Sequence, residues 1–468
     1  MNHSSSSSRS TTLPNIILIV LDATRAKNLS CYGYSRPTTP NLERFAEHSV
    51  LYETAISPAG WTLPSHASMF TGLYPSRHGA HDQHQYLLPE YPTLAEHLRS
   101  LGYNTYAYCY NPYVSSSTGT DRGFEWFNVD FNRIRSSLNR IFTKIDNGLA
   151  RLTGRRDSGA RFINRLVRTA LHQLKSEDRP FFMFIHYDEP HAPYRPPAKY
   201  NRYLPTGVSP GKARNVKQDQ WEYLIDSSIL NERDFEILTA LYDGEITYLD
   251  NRLGTLFGWL EELGMLDRTM IALTADHGDN IGDHQLLSHK YCLYDTLLHV
   301  PLIVRYPAGT AQPGRIEHQV QTLDLFPTIL ALLGDNSSEI YQSLQGIDML
   351  SSSKREFTFA EQARPNFTTM FNKFPEADVS RYDSALKMIR SERYKYIWNS
   401  KGDCELLDIR TDPGEEHNII TDQPDIATDL DKRLKDWLNS FEHARPSDRR
   451  PEFDDEAVER LRGLGYLD

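Results

Sequence analysis

A series of short, continuous apolar runs constrains the fold of this chain more than any other feature. Asn15–Leu21 reads NIILIVL, and further runs lie at residues 103–110, 181–186, 270–274 and 301–305. Strands buried on both faces have this composition, because helices cover a parallel sheet on each side. Helical patterns separate the runs. The alternation predicts an α/β fold with a mostly parallel sheet flanked by helices.

The composition is that of a folded chain with a large core. The 468 residues carry 51 Lys and Arg against 62 Asp and Glu, a net charge of −11, and 39% are hydrophobic. These values exclude a disordered, collagenous or coiled-coil chain. The acidic balance argues against nucleic acid as a partner. The length fits one large α/β domain, or one such domain with a smaller companion.

Cysteine usage and the first residues bear on the compartment. The four cysteines are far apart and form no CxxC pair, so we expect neither a disulfide framework nor a zinc ribbon. Residues 1–12 are rich in Ser and Thr and are predicted to be a disordered tail. The first apolar run is too short to span a membrane. We therefore expect no transmembrane segment and a reducing, cytoplasmic location.

The sequence divides into a main domain, residues 13–354, and a C-terminal subdomain, residues 355–468. The second part predicts short antiparallel strands and one helix. Within the first, residues 131–175 hold eleven Lys or Arg and two acids, so this basic helical insertion carries +9 inside an acidic chain. One interpretation is an amphipathic helix with a solvated basic face. The other is a surface that attracts an anionic substrate or makes peripheral contact with a membrane.

Acids and imidazoles gather where predicted strands end. Asp22 follows the first run, HYDEPH occupies residues 186–191, and DHGD occupies residues 276–279. We include Thr62, in the segment WTLPSH at residues 61–66, although it follows no clear strand. Because ligands bind at the carboxyl ends of parallel strands, these groups predict a divalent metal site there.

At this point the sequence resembles a known family. Five segments occur in the order found in sulfatases: the opening NIILIVLDATR, PSHASMFTGLYP at residues 64–75, PHAPY at 190–194, TADHGD at 274–279 and DLFPT at 324–328. The resemblance implies the α/β fold of the alkaline-phosphatase-like superfamily. It also implies a metal-dependent hydrolase of sulfate or phosphate-type esters.

The sequence departs from sulfatases at the nucleophile. Sulfatases have Cys or Ser two positions before the motif proline and Arg two positions after it, whereas this chain has Thr62 and His66. We therefore expect no formylglycine. The segment Thr-Leu-Pro-Ser-His is similar to the Thr-x-Pro-Asn-His segment of nucleotide pyrophosphatase/phosphodiesterases. That similarity implies that Thr62 is the nucleophile.

The resemblance also implies a set of site residues. The metal ligands are Asp22, Thr62, Asp276 and His277. Ala23 stands where sulfatases have a further oxygen ligand, and His277 adds an imidazole, which favours zinc or manganese over calcium or magnesium. The resemblance assigns His191 as general acid and Lys290 as the cation on the ester oxygens. Asn111 lies where sulfatases have a Lys-x-His motif that this chain lacks; it is either a substrate-binding residue that donates to an ester oxygen or a plain turn residue before proline. His66 is the other candidate substrate-binding residue. A second metal is a further candidate, with Asp188, His191 and His289 as ligands.

Four functions fit these residues. The first is hydrolysis of a phosphate mono- or diester or a phosphonate ester through Thr62. The second is hydrolysis of a sulfuric ester without formylglycine. The third is transfer of a phospho-alcohol group to a glycan or lipid, and the fourth is a non-catalytic binding protein. The expected partner is a small anionic ester substrate, either free or carried on a glycan. The oligomeric state is left open.

Overall fold

The computed structural model describes residues 13–127, 157–445, 449–464 and 466. The predicted tail at residues 1–12, and the helical spacing predicted at 138–152 in the basic insertion, lie outside these residues. Within residues 157–175 of the insertion the structure has one amphipathic helix, Ala160–Leu174, with Ile163, Val167 and Leu171 buried.

The strands, in chain order, are β1 Asn15–Leu21, β2 Val50–Ile56, β3 Asn104–Tyr108, β4 Trp126–Phe127, β5 Phe181–Tyr187, β6 Thr269–Thr274, β7 Asn280–Ile281, β8 Leu287–Ser288, β9 His299–Arg305, β10 Gly314–Ile316, β11 Val320–Gln321, β12 Thr358–Gln362, β13 Leu386–Arg390, β14 Tyr394–Asn399 and β15 Glu405–Asp408. The α-helices are α1 Pro40–Ala46, α2 Thr62–Thr71, α3 Pro75–His78, α4 Leu94–Ser100, α5 Ala160–Leu174, α6 Pro210–Arg214, α7 Gln220–Ile225, α8 Glu232–Glu262, α9 Asp295–Leu298, α10 Leu325–Leu332, α11 Glu339–Ser343, α12 Thr368–Lys373, α13 Pro424–Leu438 and α14 Asp455–Gly463.

Within the described residues, nine strands form the central sheet in the order β10-β2-β9-β6-β1-β5-β3-β4, with β11 also paired to β2. The pairs β1–β5, β1–β6 and β3–β5 are parallel, whereas β9 runs antiparallel to β2 and to β6. The predicted α/β fold with a mostly parallel sheet is therefore confirmed.

Alternate residues of β1 enter two separate cores. Ile17 and Ile19 pack with α5 and α8 on one face of the sheet. Ile16 and Leu18 pack with α4 and α10 on the other face. Every residue of β1 is buried, because helices cover both faces. This double cover explains the continuous apolar run, and it fixes the carboxyl end of β1 as the place where a polar side chain emerges.

The second part of the chain forms a four-stranded antiparallel sheet, β12-β13-β14-β15. One face packs on α13, where the rings of Phe359 and Trp437 stack with centroids 4.1 Å apart. The opposite face packs on the main domain through Met388, Ile397 and Leu297. The structure thus has the predicted antiparallel strands and helix.

The expectation that Thr62 follows no strand is wrong. Strand β2 ends six residues before Thr62 and runs in the same direction as β1. Its sequence VLYETAI was missed because Glu53 and Thr54 interrupt the apolar run, and the pairing register with β9 shifts between Tyr52 and Ala55. Consequently Thr62 lies at the same edge of the sheet as Asp22.

Two further expectations bear on the chain as a whole. All four cysteines are free, so they form no disulfide framework. In the part of the chain that the structure describes, we find no helix with the length and apolar character that a bilayer crossing requires.

Candidate active site

The four predicted metal ligands meet at the carboxyl edge of the sheet. Asp22 follows β1 directly, Asp276 and His277 follow β6 after one residue, and Thr62 is the first residue of α2. All four side chains are 0% exposed. The neighbouring parallel strands β1 and β6 place Asp22 and Asp276 side by side, which their separation of 254 positions in the sequence does not reveal.

His277 lies at the centre of this group. Its Nε2 is 3.7 Å from Asp22 Oδ1, 3.4 Å from Asp276 Oδ2 and 3.4 Å from Thr62 Oγ1. Its Nδ1 lies 2.7 Å from the Gly278 carbonyl, which only accepts hydrogen bonds, so Nδ1 carries the proton. Nε2 therefore presents a lone pair, the form in which histidine binds a metal.

Each carboxylate has one oxygen held by the protein and one that faces the centre. Asp276 Oδ1 accepts from the backbone N–H groups of Ala23, at 3.2 Å, and His277, at 2.9 Å. Asp22 Oδ2 accepts from the Asn111 amide at 2.9 Å. Among the described residues, the other oxygens, Asp22 Oδ1 and Asp276 Oδ2, have no hydrogen-bond partner. Such buried, unpaired oxygens fit a bound cation, because leaving them without one is costly.

The electrostatics of the two carboxyl groups differ. Burial, together with the charge of Asp22, raises the pKa of Asp276 to about 6. Burial also opposes ionisation of Asp22, but His191 and His186 hold the pKa of this carboxyl below its ordinary value. Two buried carboxylates side by side repel each other, and a divalent cation between them would relieve that repulsion.

Two histidines lie behind the centre. His66 is on α2, one turn after Thr62, and its Nδ1 donates to the Thr62 carbonyl at 2.8 Å. Its ring packs edge-on against Phe184, and burial lowers its pKa to about 3. His186 lies between Asp22, 3.4 Å away, and Asp188, 3.5 Å away. The substrate-binding roles of His66 and Asn111 stay predictions. In the structure their side chains contact two of the predicted metal ligands, the Thr62 carbonyl and Asp22 Oδ2.

The remaining predicted catalytic groups lie on the outer side of Thr62. His191 Nδ1 donates to the Ala192 carbonyl at 2.6 Å, which leaves Nε2 facing the site. His289 lies beside it, with ring centroids 4.9 Å apart. Lys290 Nζ lies 4.1 Å from the ring centroid of Trp61 and 3.6 Å from Asp82.

The second candidate metal set is divided between two places. Asp188 forms an ion pair with Arg460 and faces His186, whereas His191 and His289 both contact the hydroxyl of Tyr466. A different buried group, Asp22, His186 and Asp188, has ligand atoms within 4.8 Å of one another. The second metal stays a prediction.

Sequence reasoning missed three residues that the structure brings to the site: Tyr466, Arg460 and Asp82. The Tyr466 hydroxyl is 3.3 Å from Thr62 Oγ1, although the two residues are 404 positions apart. The signal in the sequence was the closing segment Leu464-Gly465-Tyr466, which belongs to the sulfatase resemblance but gives no partner.

Comparisons with known proteins bear on both fold and chemistry. The sulfatase family model matches residues 14–335, and the model named N-sulphoglucosamine sulphohydrolase, C-terminal, matches residues 282–443. The multifunctional alkaline phosphatase superfamily protein PehA from Trinickia caryophylli is 26% identical, with 92% of this chain and 96% of that protein covered. An ulvan-active sulfatase from Formosa agariphila is 25% identical, with 92% and 83% covered.

Solved structures agree with the fold. The phosphonate monoester hydrolase of Agrobacterium radiobacter has a TM-score of 0.72 at 20% identity, covering 94% of this chain and 99% of that one. The phosphonate monoester hydrolase from Silicibacter pomeroyi has a TM-score of 0.68 at 22% identity, with 94% and 100% covered. The predicted alkaline-phosphatase-like architecture is confirmed.

Proposed function

Because this chain belongs to the sulfatase family, we propose that it hydrolyses phosphate-type esters with Thr62 as the nucleophile. It is a hydrolase of sulfate or phosphate esters, and the proposal concerns the attacking residue and the preferred ester. The observation that carries the proposal is the position of Thr62 Oγ1, 3.4 Å from His277 Nε2 where Asp22 and Asp276 also converge.

The donor set supports a metal at this position. Asp22, Asp276, His277 and Thr62 would hold a divalent cation, and their mixture of oxygen and nitrogen atoms suits zinc or manganese. A hydroxyl has a pKa far above 7 and is a weak nucleophile unless it is activated. The cation, when bound, supplies the positive charge that favours the ionised Thr62 hydroxyl.

The protein groups then divide the reaction between them. The Thr62 hydroxyl passes its proton to solvent, and Oγ1 forms a bond to phosphorus as the bond from phosphorus to the leaving oxygen breaks. His191 in its imidazolium form gives the Nε2 proton to that oxygen, and Lys290 offsets negative charge on the ester. Water then hydrolyses the ester at Thr62: its oxygen goes to phosphorus, one of its protons restores the Thr62 hydroxyl, and His191 regains its proton from solvent.

The preference for phosphate rests on the nucleophile. Formylglycine forms from Cys or Ser, and position 62 holds neither. Relatives of both kinds exist, since two similar structures are phosphonate monoester hydrolases and one curated relative is an ulvan-active sulfatase. A sulfate ester on a glycan is therefore the second candidate substrate.

The test compares Thr62→Ala and Thr62→Ser with the unaltered protein on a phosphodiester and an aryl sulfate at equal concentration. We expect the phosphodiester to be preferred, and we expect Thr62→Ala to lose at least about 1,000-fold in kcat/KM. Thr62→Ser keeps a hydroxyl at the same atom and should retain measurable turnover. Mass spectrometry of acid-quenched protein should show Thr62 esterified to phosphorus, with the second alcohol of the phosphodiester still attached to that phosphorus.

Ser65→Ala is the matched control, because Ser65 lies one turn further along α2 and its hydroxyl donates to the Ala59 carbonyl, 2.9 Å away. We expect it to keep most of the activity. Full activity in Thr62→Ala would refute the nucleophile. Turnover of the aryl sulfate alone would refute the phosphate preference and favour the second candidate.

A further inference from the structure

Residues 449–464 and 466, which we name the cover segment, lie directly against the active site. Leu461 is fully buried, and Tyr466 is 7% exposed. Both join an apolar cluster that contains Trp61 and Tyr113. The rings of Tyr466 and Tyr113 meet edge to face, with centroids 5.0 Å apart. The cover segment is therefore packed on the catalytic face of the molecule.

Polar contacts fasten the cover segment at two further points. The Arg460 guanidinium pairs with Asp188 and lies 3.2 Å from the ring centroid of Tyr110. The Ser117 hydroxyl donates to the Glu452 carbonyl at 2.7 Å. Charged and aromatic contacts of this kind hold a segment in place but can be replaced by contacts to a bound anion.

The Tyr466 hydroxyl occupies the space in front of Thr62. It is 3.3 Å from Thr62 Oγ1, 3.2 Å from His191 Nε2 and 2.9 Å from His289 Nε2. A phosphorus atom attacked by Thr62 must come within about 3–3.5 Å of Oγ1. The Tyr466 phenol and the substrate phosphorus group therefore require the same position, so they cannot occupy the site at the same time.

The burial of the nucleophile leads to the same conclusion. Thr62 is 0% exposed, and so are Asp22 and His277. An ester in solution cannot reach a side chain that is closed to solvent. Part of the protein must move first, and the cover segment supplies the tyrosine that contacts the Thr62 hydroxyl.

We propose that the cover segment is an autoinhibitory gate, in which Tyr466 holds the place of a substrate ester oxygen and leaves when an anionic ester binds. This inference rests on the proposed function, because it takes Thr62 as the group that the substrate must reach. The anion opens the gate itself, since the Lys290 ammonium, whose Nζ lies 5.4 Å from the Tyr466 ring centroid, attracts a charged oxygen more strongly than a neutral phenol.

The gate lowers apparent affinity in a calculable way. When only a fraction of molecules is open, the observed dissociation constant equals the intrinsic constant divided by that fraction. Removing the Tyr466 ring opens the site in nearly every molecule. We therefore expect phosphate to bind at least about tenfold more tightly to Tyr466→Ala than to the unaltered protein.

The test uses the full-length, metal-loaded protein and inorganic phosphate as the probe. Calorimetry gives the dissociation constant for the unaltered protein, for Tyr466→Ala and for a variant shortened after Arg445. Hydrogen exchange follows residues 455–464 with and without phosphate. Steady-state kinetics give KM and kcat on the ester. Glu459→Ala, an exposed position on α14, is the control and should change none of these.

The gate predicts tighter phosphate binding and a lower KM with undiminished kcat in Tyr466→Ala, together with faster exchange over residues 455–464 when phosphate binds the unaltered protein. Weaker or equal phosphate binding in Tyr466→Ala would overturn it, as would a lower kcat at unchanged KM, since that result marks Tyr466 as a donor to the substrate. If the shortened variant fails to fold, Tyr466→Ala alone decides.

Phosphate binding and hydrogen exchange do not depend on which residue attacks. If Thr62→Ala is fully active while Tyr466→Ala binds phosphate more tightly, the nucleophile is refuted and the gate stands. If Thr62→Ala is inactive while Tyr466→Ala binds phosphate no more tightly, the gate is refuted and the nucleophile stands.

Discussion

Lys395 is a buried cation at the junction of the two sheets, and Lys395→Met should destabilise the protein in a pH-dependent way. The Lys395 side chain is 0% exposed, and its Nζ lies 2.5 Å from Asp295 Oδ1 and pairs with Glu415. Asp295 keeps a second partner in Arg390, 3.5 Å away, whereas Lys395 is the one cation ion-paired with Glu415 among the described residues. The variant therefore leaves Glu415 buried and uncompensated.

The magnitude follows from that loss. Removing one partner of a buried ion pair costs about 3–5 kcal/mol, because the remaining charge has lost its compensation. Unfolding entropy is about 2.1 cal/mol/K per residue, or about 1 kcal/mol/K for this chain, so such a loss lowers Tm by about 3–5 °C. By contrast, Lys435→Met removes an exposed pair with Asp431, 2.5 Å away on the same helix, and should cost less than about 1 kcal/mol.

The pH dependence separates a charge effect from a packing effect. Burial raises the pKa of Glu415 to about 7 even with Lys395 present, and removing the lysine raises it further. A carboxyl whose pKa is higher in the folded state binds more protons there, so stability falls as the pH rises from the unfolded value, about 4.5, through the folded value. The deficit of Lys395→Met should therefore be largest near pH 8 and smaller near pH 5.

The assay is thermal unfolding of the unaltered protein, Lys395→Met and Lys435→Met at pH 5 and pH 8, followed by circular dichroism. A deficit that is equal at the two pH values would refute the reasoning, because the loss would then come from packing. A deficit no larger than that of Lys435→Met would refute the claim that the buried pair holds the junction.

Two further predictions concern other buried acids. Burial raises the pKa of Glu245 to about 8, and its Oε1 accepts from the backbone N–H of Arg195 at 2.8 Å. Glu245→Gln should therefore gain stability relative to the unaltered protein as the pH rises from about 4.5 to 8, by up to about 4 kcal/mol. A stability difference between the two proteins that stays constant across this pH range would contradict the prediction. Asp276→Asn should lower the amount of bound metal, because it removes a charged ligand, whereas the control Asp335→Asn, at a part-buried acid, should not. Elemental analysis after dialysis measures the metal content. Equal metal content in the two variants would contradict the predicted site.

The sequence by itself determined the layer order of the main domain and the strand-end groups. The β1 run is continuous because both faces are buried, and that property is visible without a structure. Asp22 and Asp276 could be found for the same reason, since each follows such a run within two residues. Strand β2 was not predicted, because Glu53 and Thr54 interrupt its apolar run close to the point where its pairing register with β9 shifts.

Tertiary structure decided which distant groups share the space around Thr62. Local patterns record how a segment meets solvent and core, so they reveal strands and helices, but a contact between residues 62 and 466 leaves no local trace. The orientation of His277, with Nδ1 held by a carbonyl and Nε2 facing two unpaired carboxylate oxygens, likewise depends on three-dimensional hydrogen bonding. The sequence thus determined where polar groups emerge from the sheet. Only the tertiary structure decided which of these groups meet and which one Tyr466 covers, because hydrogen bonds and packing depend on distance in space and not on separation along the chain.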